Sequence, residues 1–175
     1  MKKLLGLLCT MLLLLALTEV VQADPVLWET NGHYYDAIAV PPGITWVDAN
    51  IDATNSSYLG MGGHLATVTS EEENSFIHTT FGSSNIVGFL LGGFQMPGSS
   101  EPSGGWTWVT GEEWNAWAVS NWKADEPNNT YSGGAIFYYG TSTSEEVLQY
   151  SNHGGSQFND VPDMSGWGGY IVEYE

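Results

Sequence analysis

Basic side chains are almost missing from this chain of 175 residues, which has three Lys, no Arg and 20 acidic residues. Its formal net charge at pH 7 is −17. Proteins bind phosphate backbones and anionic lipid surfaces through Lys and Arg, so this composition argues against a nucleic-acid partner or a membrane surface. Clustered carboxylate and amide oxygens are instead suited to divalent cations.

Cysteine is limited to Cys9, which lies inside an apolar run over residues 4–17 that follows Lys2 and Lys3. The run is shorter than the roughly 20 apolar residues of a bilayer span. A basic start, a short apolar stretch and small residues near Ala23 are typical of a secretory signal peptide. We therefore expect a signal peptide over residues 1–23 and a secreted, periplasmic or extracellular mature chain that does not insert into the membrane.

The expected mature chain, residues 24–175, has a length that fits one domain. It keeps one Lys and 19 acidic residues, a net charge of −18. It contains no cysteine. Packing must therefore replace disulfides, with bound metal as a further source of stability.

Two helices are predicted early in this domain. Thr45 is placed to cap the first, and Ser70 and Glu73 form a capping box, each satisfying an exposed amide of the other, at the start of a second that ends near Phe81. Apolar and aromatic patterns predict strands over residues 31–38, 65–68, 86–94, 106–109, 147–150 and 170–174. The turn residues Pro41-Pro42-Gly43 are expected to end the first strand. Two helices followed by short strands and long loops indicate an α+β fold.

The densest group of oxygen ligands is Asp125-Glu126-Pro127-Asn128-Asn129, with Glu145-Glu146 and Asn159-Asp160 further along. Asp, Glu and Asn without His or Cys suit Ca²⁺ better than Zn²⁺. A cis bond before Pro127 would turn the side-chain carbonyls of Glu126 and Asn128 to one side. The alternative is an ordinary Pro-Asn-Asn turn with solvated acids.

Four segments resemble the C-type lectin-like domain, in the family's order and over nearly the whole mature chain. Residues 62–74 resemble its second-helix signature, and residues 120–129 resemble its long loop, including the Glu-Pro-Asn motif of mannose-type members. Residues 158–160 resemble its Trp-Asn-Asp motif, with Phe158 in place of Trp, and residues 169–174 its last strand, which pairs with the first.

The resemblance implies a fold of two helices, small antiparallel sheets and a long calcium-binding loop, with the terminal strands paired. It also implies one site that binds Ca²⁺ and carbohydrate through the same side chains: Glu126, Asn128, Glu145, Asn159 and Asp160. In such a site two neighbouring sugar hydroxyls complete the calcium shell, while carboxylates accept from those hydroxyls and amides donate to them. The Glu-Pro-Asn order implies sugars of the mannose, glucose or N-acetylglucosamine type, with equatorial 3- and 4-hydroxyls.

The chain departs from the family pattern in three ways. The family's cysteines are missing, with Val172 at one of their positions, as in bacterial members. Phe158 is expected to change packing only. The segment between Asn129 and Ser144 is longer than usual and includes residues 135–139, which could form an extra strand. This insertion leaves Glu146 as an alternative to Glu145, and a second calcium site could use Asp125, Asn129 or Glu146.

Other candidates are given ordinary structural roles. Trp106, Trp108, Trp114, Trp117 and Trp122 suit sugar stacking but are more typical of packing. Tyr131 and Tyr138, in the insertion, could flank the sugar or pack within a loop. The four His residues, at 33, 64, 78 and 153, share no metal-ligand spacing.

The sequence also provides no catalytic constellation. Glu145 and Glu146 would face opposite sides of a strand, which argues against paired acid catalysis. We therefore expect a calcium-dependent carbohydrate-binding module and not an enzyme. The alternative is a domain of the same fold that binds a protein, ice or a mineral surface through the long-loop face.

Overall fold

The computed structural model describes residues 23–130, 144–153 and 155–175. These contain the helices α1 (Trp46–Asn55), α2 (Glu71–Phe81) and α3 (Ala116–Ser120). Their strands are β1 (Val26–Trp28), β2 (His33–Ile44), β3 (Ser57–Tyr58), β4 (Met61–Leu65), β5 (Leu90–Gln95), β6 (Trp106–Trp108), β7 (Val147–Tyr150), β8 (Phe158–Val161) and β9 (Trp167–Tyr174). None of the described helices has the length and apolar character needed to cross a bilayer. Residues 1–22 of the predicted signal peptide and the predicted strand at residues 135–139 lie outside the described residues.

All nine strands join one sheet whose central path is β1-β2-β9-β5-β7-β8. The last strand, β9, pairs antiparallel with both β2 and β4, so the predicted pairing of the terminal strands is confirmed. It also pairs in parallel with β5, at Leu90 and Tyr170. The expected small antiparallel sheets are therefore replaced by one mixed sheet, while the α+β class is confirmed.

The core lies on both sides of β9. Successive strand residues point to opposite faces, so Ile171 joins one apolar cluster while Tyr170 and Val172 join the other. The first cluster also receives Ile77 from α2. The second receives Ala49 and other residues from α1. A strand buried on both faces needs apolar residues at consecutive positions, and Tyr-Ile-Val provides them.

The helix starts follow local chemistry. The Thr45 hydroxyl accepts a hydrogen bond from the Asp48 backbone N–H, which confirms the predicted cap of α1. The Ser70 hydroxyl accepts from the Glu73 backbone N–H. The capping box is only half formed, however, because the Glu73 carboxylate accepts from the Thr69 N–H instead of reaching back to Ser70.

Several strand boundaries differ from the prediction. Pro41-Pro42-Gly43 does not end the first strand, because β2 continues to Ile44 through an irregularity in its register after Ala39. Proline lacks the N–H needed for a ladder and is tolerated where pairing is interrupted. Residues 66–68 leave β4 although they are buried, and residues 86–89 precede β5 as a turn.

Four elements have no counterpart in the prediction: α3, β1, β3 and β8. Asn115 caps the start of the five-residue helix α3 and ties it to the segment before α2. The Asn115 side-chain oxygen accepts from the Ala118 N–H, and the Asn115 side-chain nitrogen donates to the Thr69 carbonyl just before α2. A helix this short depends on tertiary contacts, which a sequence pattern does not reveal.

Candidate functional site

The candidate site is built where the long loop meets β8. The Phe158 N–H donates to the Asn121 carbonyl at 2.9 Å, and the Lys123 N–H donates to the Phe158 carbonyl at 2.9 Å. These bonds fix the loop beside the start of β8. A few residues on, the Glu126–Pro127 peptide bond is cis, which is the condition under which the sequence argument turns both flanking side chains to one side.

Asp160 holds the Glu-Pro-Asn segment in place. Its side chain, 1% exposed, accepts from the Asn128 N–H at 3.1 Å and from the Asn129 N–H at 2.8 Å. The backbone register of β7 and β8 places Asp160 opposite Leu148. A charged acceptor with two backbone donors is a strong, directional arrangement. Asp160 therefore joins the loop to the sheet.

Asn129 extends this arrangement to Glu145. Its side-chain oxygen accepts from the Glu145 N–H at 2.7 Å. Its backbone has a φ of 52°, in the left-handed region that Asn tolerates better than most residues. Glu145 is 4% exposed and lies near Asp160, whereas Glu146 is exposed. Of the two alternatives in the sequence, the structure thus brings Glu145 to the cluster.

Burial and, after it, the neighbouring carboxylates set the electrostatics of this cluster. Burial, then the charge of Asp160, raises the pKa of Glu145 to about 7. Burial, then a hydrogen bond with Asp160, raises the pKa of Glu126 to about 7, and Lys123 acts weakly in the opposite direction. One oxygen of Glu126, Oε2, is buried without a hydrogen-bond partner. Since little positive charge compensates these carboxylates, a bound cation would offset the cost of ionising them.

The two amides of the predicted ligand set have local partners. The Asn128 side-chain oxygen accepts from the Thr130 N–H at 2.6 Å. The Asn159 side-chain nitrogen donates to the backbone carbonyl of its chain neighbour Asp160 at 3.0 Å. The five predicted ligands thus lie on three segments, which are connected by the hydrogen bonds of Asp160 and Asn129.

The donor chemistry fits a hard cation, although the acidic side chains alone do not form its site. Within residues 23–130, 144–153 and 155–175, no three His, Cys, Asp or Glu side chains are grouped so that they could hold a metal ion. Calcium takes six to eight oxygens and readily uses amide and backbone carbonyls. A site here would therefore combine Glu126, Glu145 and Asp160 with the oxygens of Asn128 and Asn159.

The tryptophans pack against one another beneath this loop. The ring of Phe158, fully buried, lies within 6.2 Å of several of them between ring centres. Trp106 and Trp108 are buried, while Trp114, Trp117 and Trp122 are partly buried against the same core. The packing role favoured from the sequence therefore describes them. Tyr131 and Tyr138 lie outside the described residues.

The histidines do not join the candidate site. His33 lies 2.7 Å from Glu173, and His64 lies 3.4 Å from Glu175. His78 packs its ring on Tyr150, and His153 is exposed. These placements agree with the structural roles expected for them.

Sequence reasoning missed how much the backbone of the loop contributes. The turn at Thr130 is not part of the prediction: its N–H donates to the Asn128 side-chain oxygen, and its hydroxyl donates to the Asn128 carbonyl at 3.1 Å. The spacing Asn-x-Thr is a usable signal for such a turn. The role of Asn129 in holding Glu145 spans 16 positions and left no local signal.

Comparisons with known proteins agree on the fold. No family model matches the chain. The chain is 29% identical over 154 residues to halomucin of Haloquadratum walsbyi. This match covers 82% of the chain but about 1% of the length of halomucin.

Two solved structures illustrate the likeness. The cow C-type carbohydrate-recognition domain of CD23, determined in the presence of GlcNAc2Man3 oligosaccharide, superposes with a TM-score of 0.57 at 19% identity, covering 81% of this chain and 86% of that one. Herring type II antifreeze protein superposes with a TM-score of 0.57 at 20% identity, covering 81% and 89%. The chain therefore has the C-type lectin-like fold, which is shared by sugar-binding and antifreeze proteins.

Proposed function

We propose that this chain is a calcium-dependent carbohydrate-binding module that acts outside the cytoplasm. The observation that carries the proposal is the position of Asp160. Its buried carboxylate fixes the Glu126-Pro127-Asn128 segment, and Asn129 holds Glu145 beside it. These contacts support a site in which carboxylate and amide oxygens share one loop face near Lys123.

The proposed ligands are Glu126, Asn128, Glu145, Asn159 and Asp160. Bound calcium would supply a Lewis-acidic centre for two neighbouring hydroxyls of one sugar. The carboxylates of Glu126 and Glu145 would accept hydrogen bonds from those hydroxyls, and the amides of Asn128 and Asn159 would donate to them. The carbohydrate in the cow CD23 structure supports a sugar partner in general terms.

The resemblance of the Glu-Pro-Asn segment to mannose-type C-type lectins supports a preferred sugar class. We propose hexoses of the mannose, glucose or N-acetylglucosamine type, recognised by equatorial 3- and 4-hydroxyls. Few groups would be buried by one terminal sugar, so affinity for a monosaccharide should be low, and useful binding would come from multivalency. Binding, not catalysis, is the role proposed.

The domain division and location belong to the same proposal. We propose residues 1–23 as a signal peptide and residues 24–175 as the folded domain. The basic and apolar start of the sequence supports export. The chain matches only about 1% of the length of halomucin, so activities of such a larger protein are not transferred to it.

The experiment is a glycan array and a calorimetric titration, each run with calcium and with a chelator. Calcium-dependent retention on mannose-type glycans is expected. Glu145→Gln should weaken calcium binding strongly, while Glu146→Gln, the exposed neighbour, is the matched control and should not. Glu126→Gln and Asn128→Asp should weaken sugar binding with the fold retained, and the exposed Glu113→Gln should leave it unchanged.

The alternative function is binding of a protein, ice or a mineral surface through the same loop face. The herring antifreeze structure favours it, because that fold neighbour is named for a different activity. Calcium binding without any glycan signal would support this alternative, tested next by ice-recrystallisation and mineral-adsorption assays. No effect of calcium on binding or melting temperature would refute the proposed site.

A further inference from the structure

A second cluster of carboxylates lies away from the loop, where β2, α2 and β9 meet. The Tyr35 hydroxyl oxygen is 2.7 Å from Oε1 of Glu73 and 2.8 Å from Oε1 of Glu173. Tyr35 is fully buried, and the two glutamates are 3% exposed each. We call these three side chains the shared-proton cluster.

The shared-proton cluster needs one more proton than it would have with both glutamates ionised and Tyr35 neutral. Separations of 2.7–2.8 Å between oxygens are those of O–H···O hydrogen bonds, each with a proton between the two atoms. The Tyr35 hydroxyl has a single proton and can donate to only one carboxylate. The second short contact therefore requires a proton on a carboxyl group, which donates to the Tyr35 oxygen.

The remaining oxygens show where that proton belongs. Oε2 of Glu73 accepts from the Thr69 N–H at 2.8 Å, and Oε2 of Glu173 accepts from the Thr67 N–H at 3.0 Å. Neither of these oxygens is free to carry the proton, so it lies on an Oε1 facing Tyr35.

His33 decides between the two glutamates. Its Nδ1 lies 2.7 Å from Oε1 of Glu173, and a protonated Nδ1 gives that oxygen a second donor beside the Tyr35 hydroxyl. The hydrogen bond to Glu173 is the main cause that raises the pKa of His33. Glu173 is therefore the carboxylate and Glu73 the protonated acid. The Tyr35 oxygen then accepts from Glu73 and from the Asn31 amide at 2.9 Å, and every polar atom is paired.

We propose that Glu73 and Glu173 hold one proton between them through Tyr35 at neutral pH, and that its loss weakens the junction of β2, α2 and β9 as the pH rises. No Lys or Arg of the described chain faces Glu73 to replace that proton. The titratable groups around it are His33 and Tyr35 on β2, Glu173 and Glu175 on β9, His64 on β4 beside Glu175, and Tyr150 on β7.

The direction of the effect follows from linkage. Burial, then the charge of Glu173, raises the pKa of Glu73 from 4.5 to about 7. Since the folded state binds the proton more tightly than the unfolded state, the stability it provides is present below about pH 4.5 and is lost as the pH rises through about 7. Over this rise in pH, such a pKa difference between the folded and unfolded states lowers the folding equilibrium constant by about two orders of magnitude.

The test compares melting temperatures of the full chain and of Glu73→Gln from pH 5 to pH 9, at constant ionic strength and with a chelator. A Gln side chain resembles the protonated acid, because its amide can donate to Tyr35 while its oxygen accepts from Thr69. The variant should match the unsubstituted protein at pH 5 and melt about 5–10 °C higher at pH 9. Glu72→Gln, on the exposed side of the same helix, is the matched control and should give no pH-dependent difference.

A Glu73→Gln variant that is less stable by the same amount at every pH would overturn the proposal. A measurement on the unsubstituted protein covers the case in which the variant does not fold. Carbon NMR of the assigned Glu73 side-chain carboxyl should show it titrating near pH 7. Titration of Glu73 below about pH 5 would overturn the shared proton directly.

Discussion

Asn129 offers the sharpest test of how the candidate site is held together, because two separate properties of this residue can be removed one at a time. Its side-chain oxygen accepts from the Glu145 N–H at 2.7 Å, and its backbone φ is 52°. Asn129→Gly removes the side-chain acceptor but leaves the left-handed backbone unstrained. Asn129→Ala removes the acceptor and also places a Cβ in that conformation.

The magnitudes follow from these two properties. Leaving the partly buried Glu145 N–H without a partner costs about 1–3 kcal/mol, so Asn129→Gly should lose that much unfolding free energy. A left-handed Ala costs about 1–2 kcal/mol. Ala has a lower chain entropy than Gly in the unfolded state, which stabilises the Ala variant by about 0.4–1 kcal/mol. Asn129→Ala should therefore be about 1 kcal/mol less stable than Asn129→Gly.

Urea unfolding with a chelator present measures both differences, and Asn152→Ala, at an exposed turn, is a control expected to change stability by less than about 0.5 kcal/mol. If Ala and Gly are equally stable, residue 129 does not have the left-handed backbone. If both match the unsubstituted protein, Asn129 does not hold Glu145. Under the proposed function, both variants should also weaken calcium binding about 10–100-fold, because Asn129 orients a ligand.

Three further predictions concern the core, acid and salt. Phe158→Ala should lower the unfolding free energy by about 3–5 kcal/mol, since Phe158 is fully buried among aromatic rings; a loss below about 1 kcal/mol in urea unfolding would contradict this packing. Burial lowers the pKa of His78 to about 4, so the stability that its neutral form provides should be lost as the pH falls from about 6.5 through 4. In a plot of melting temperature against pH, His78→Gln should reduce this fall at acid pH, whereas the exposed His153→Gln should not. With a net charge of −17, the melting temperature should rise between about 0.05 and 1 M NaCl as repulsion is screened, and a melting temperature that falls over this range would refute the argument.

Local sequence determined the features whose causes are local. Thr45 and Ser70 each accept a hydrogen bond from a backbone N–H three residues ahead, so the starts of α1 and α2 could be predicted. The apolar run at residues 147–150 gave β7 its bounds. The acidic and amide-rich segments identified the candidate ligands, because hard-cation chemistry depends on residue type. The C-type lectin-like fold was also predicted, from four segments in the family's order, and the solved structures confirm it.

Tertiary structure decided what depends on distant partners. Which glutamate of 145 and 146 approaches Asp160 depends on Asn129, across 16 positions. The continuation of β2 past two prolines depends on β9, which pairs again at Ile44. Glu73 gave a local signal for a capping box, but its carboxylate turned to Tyr35, beside Glu173, a residue 100 positions away along the chain. Such contacts form only when the sheet closes, since a buried polar group takes the partner that the completed core supplies, whatever its local pattern favours.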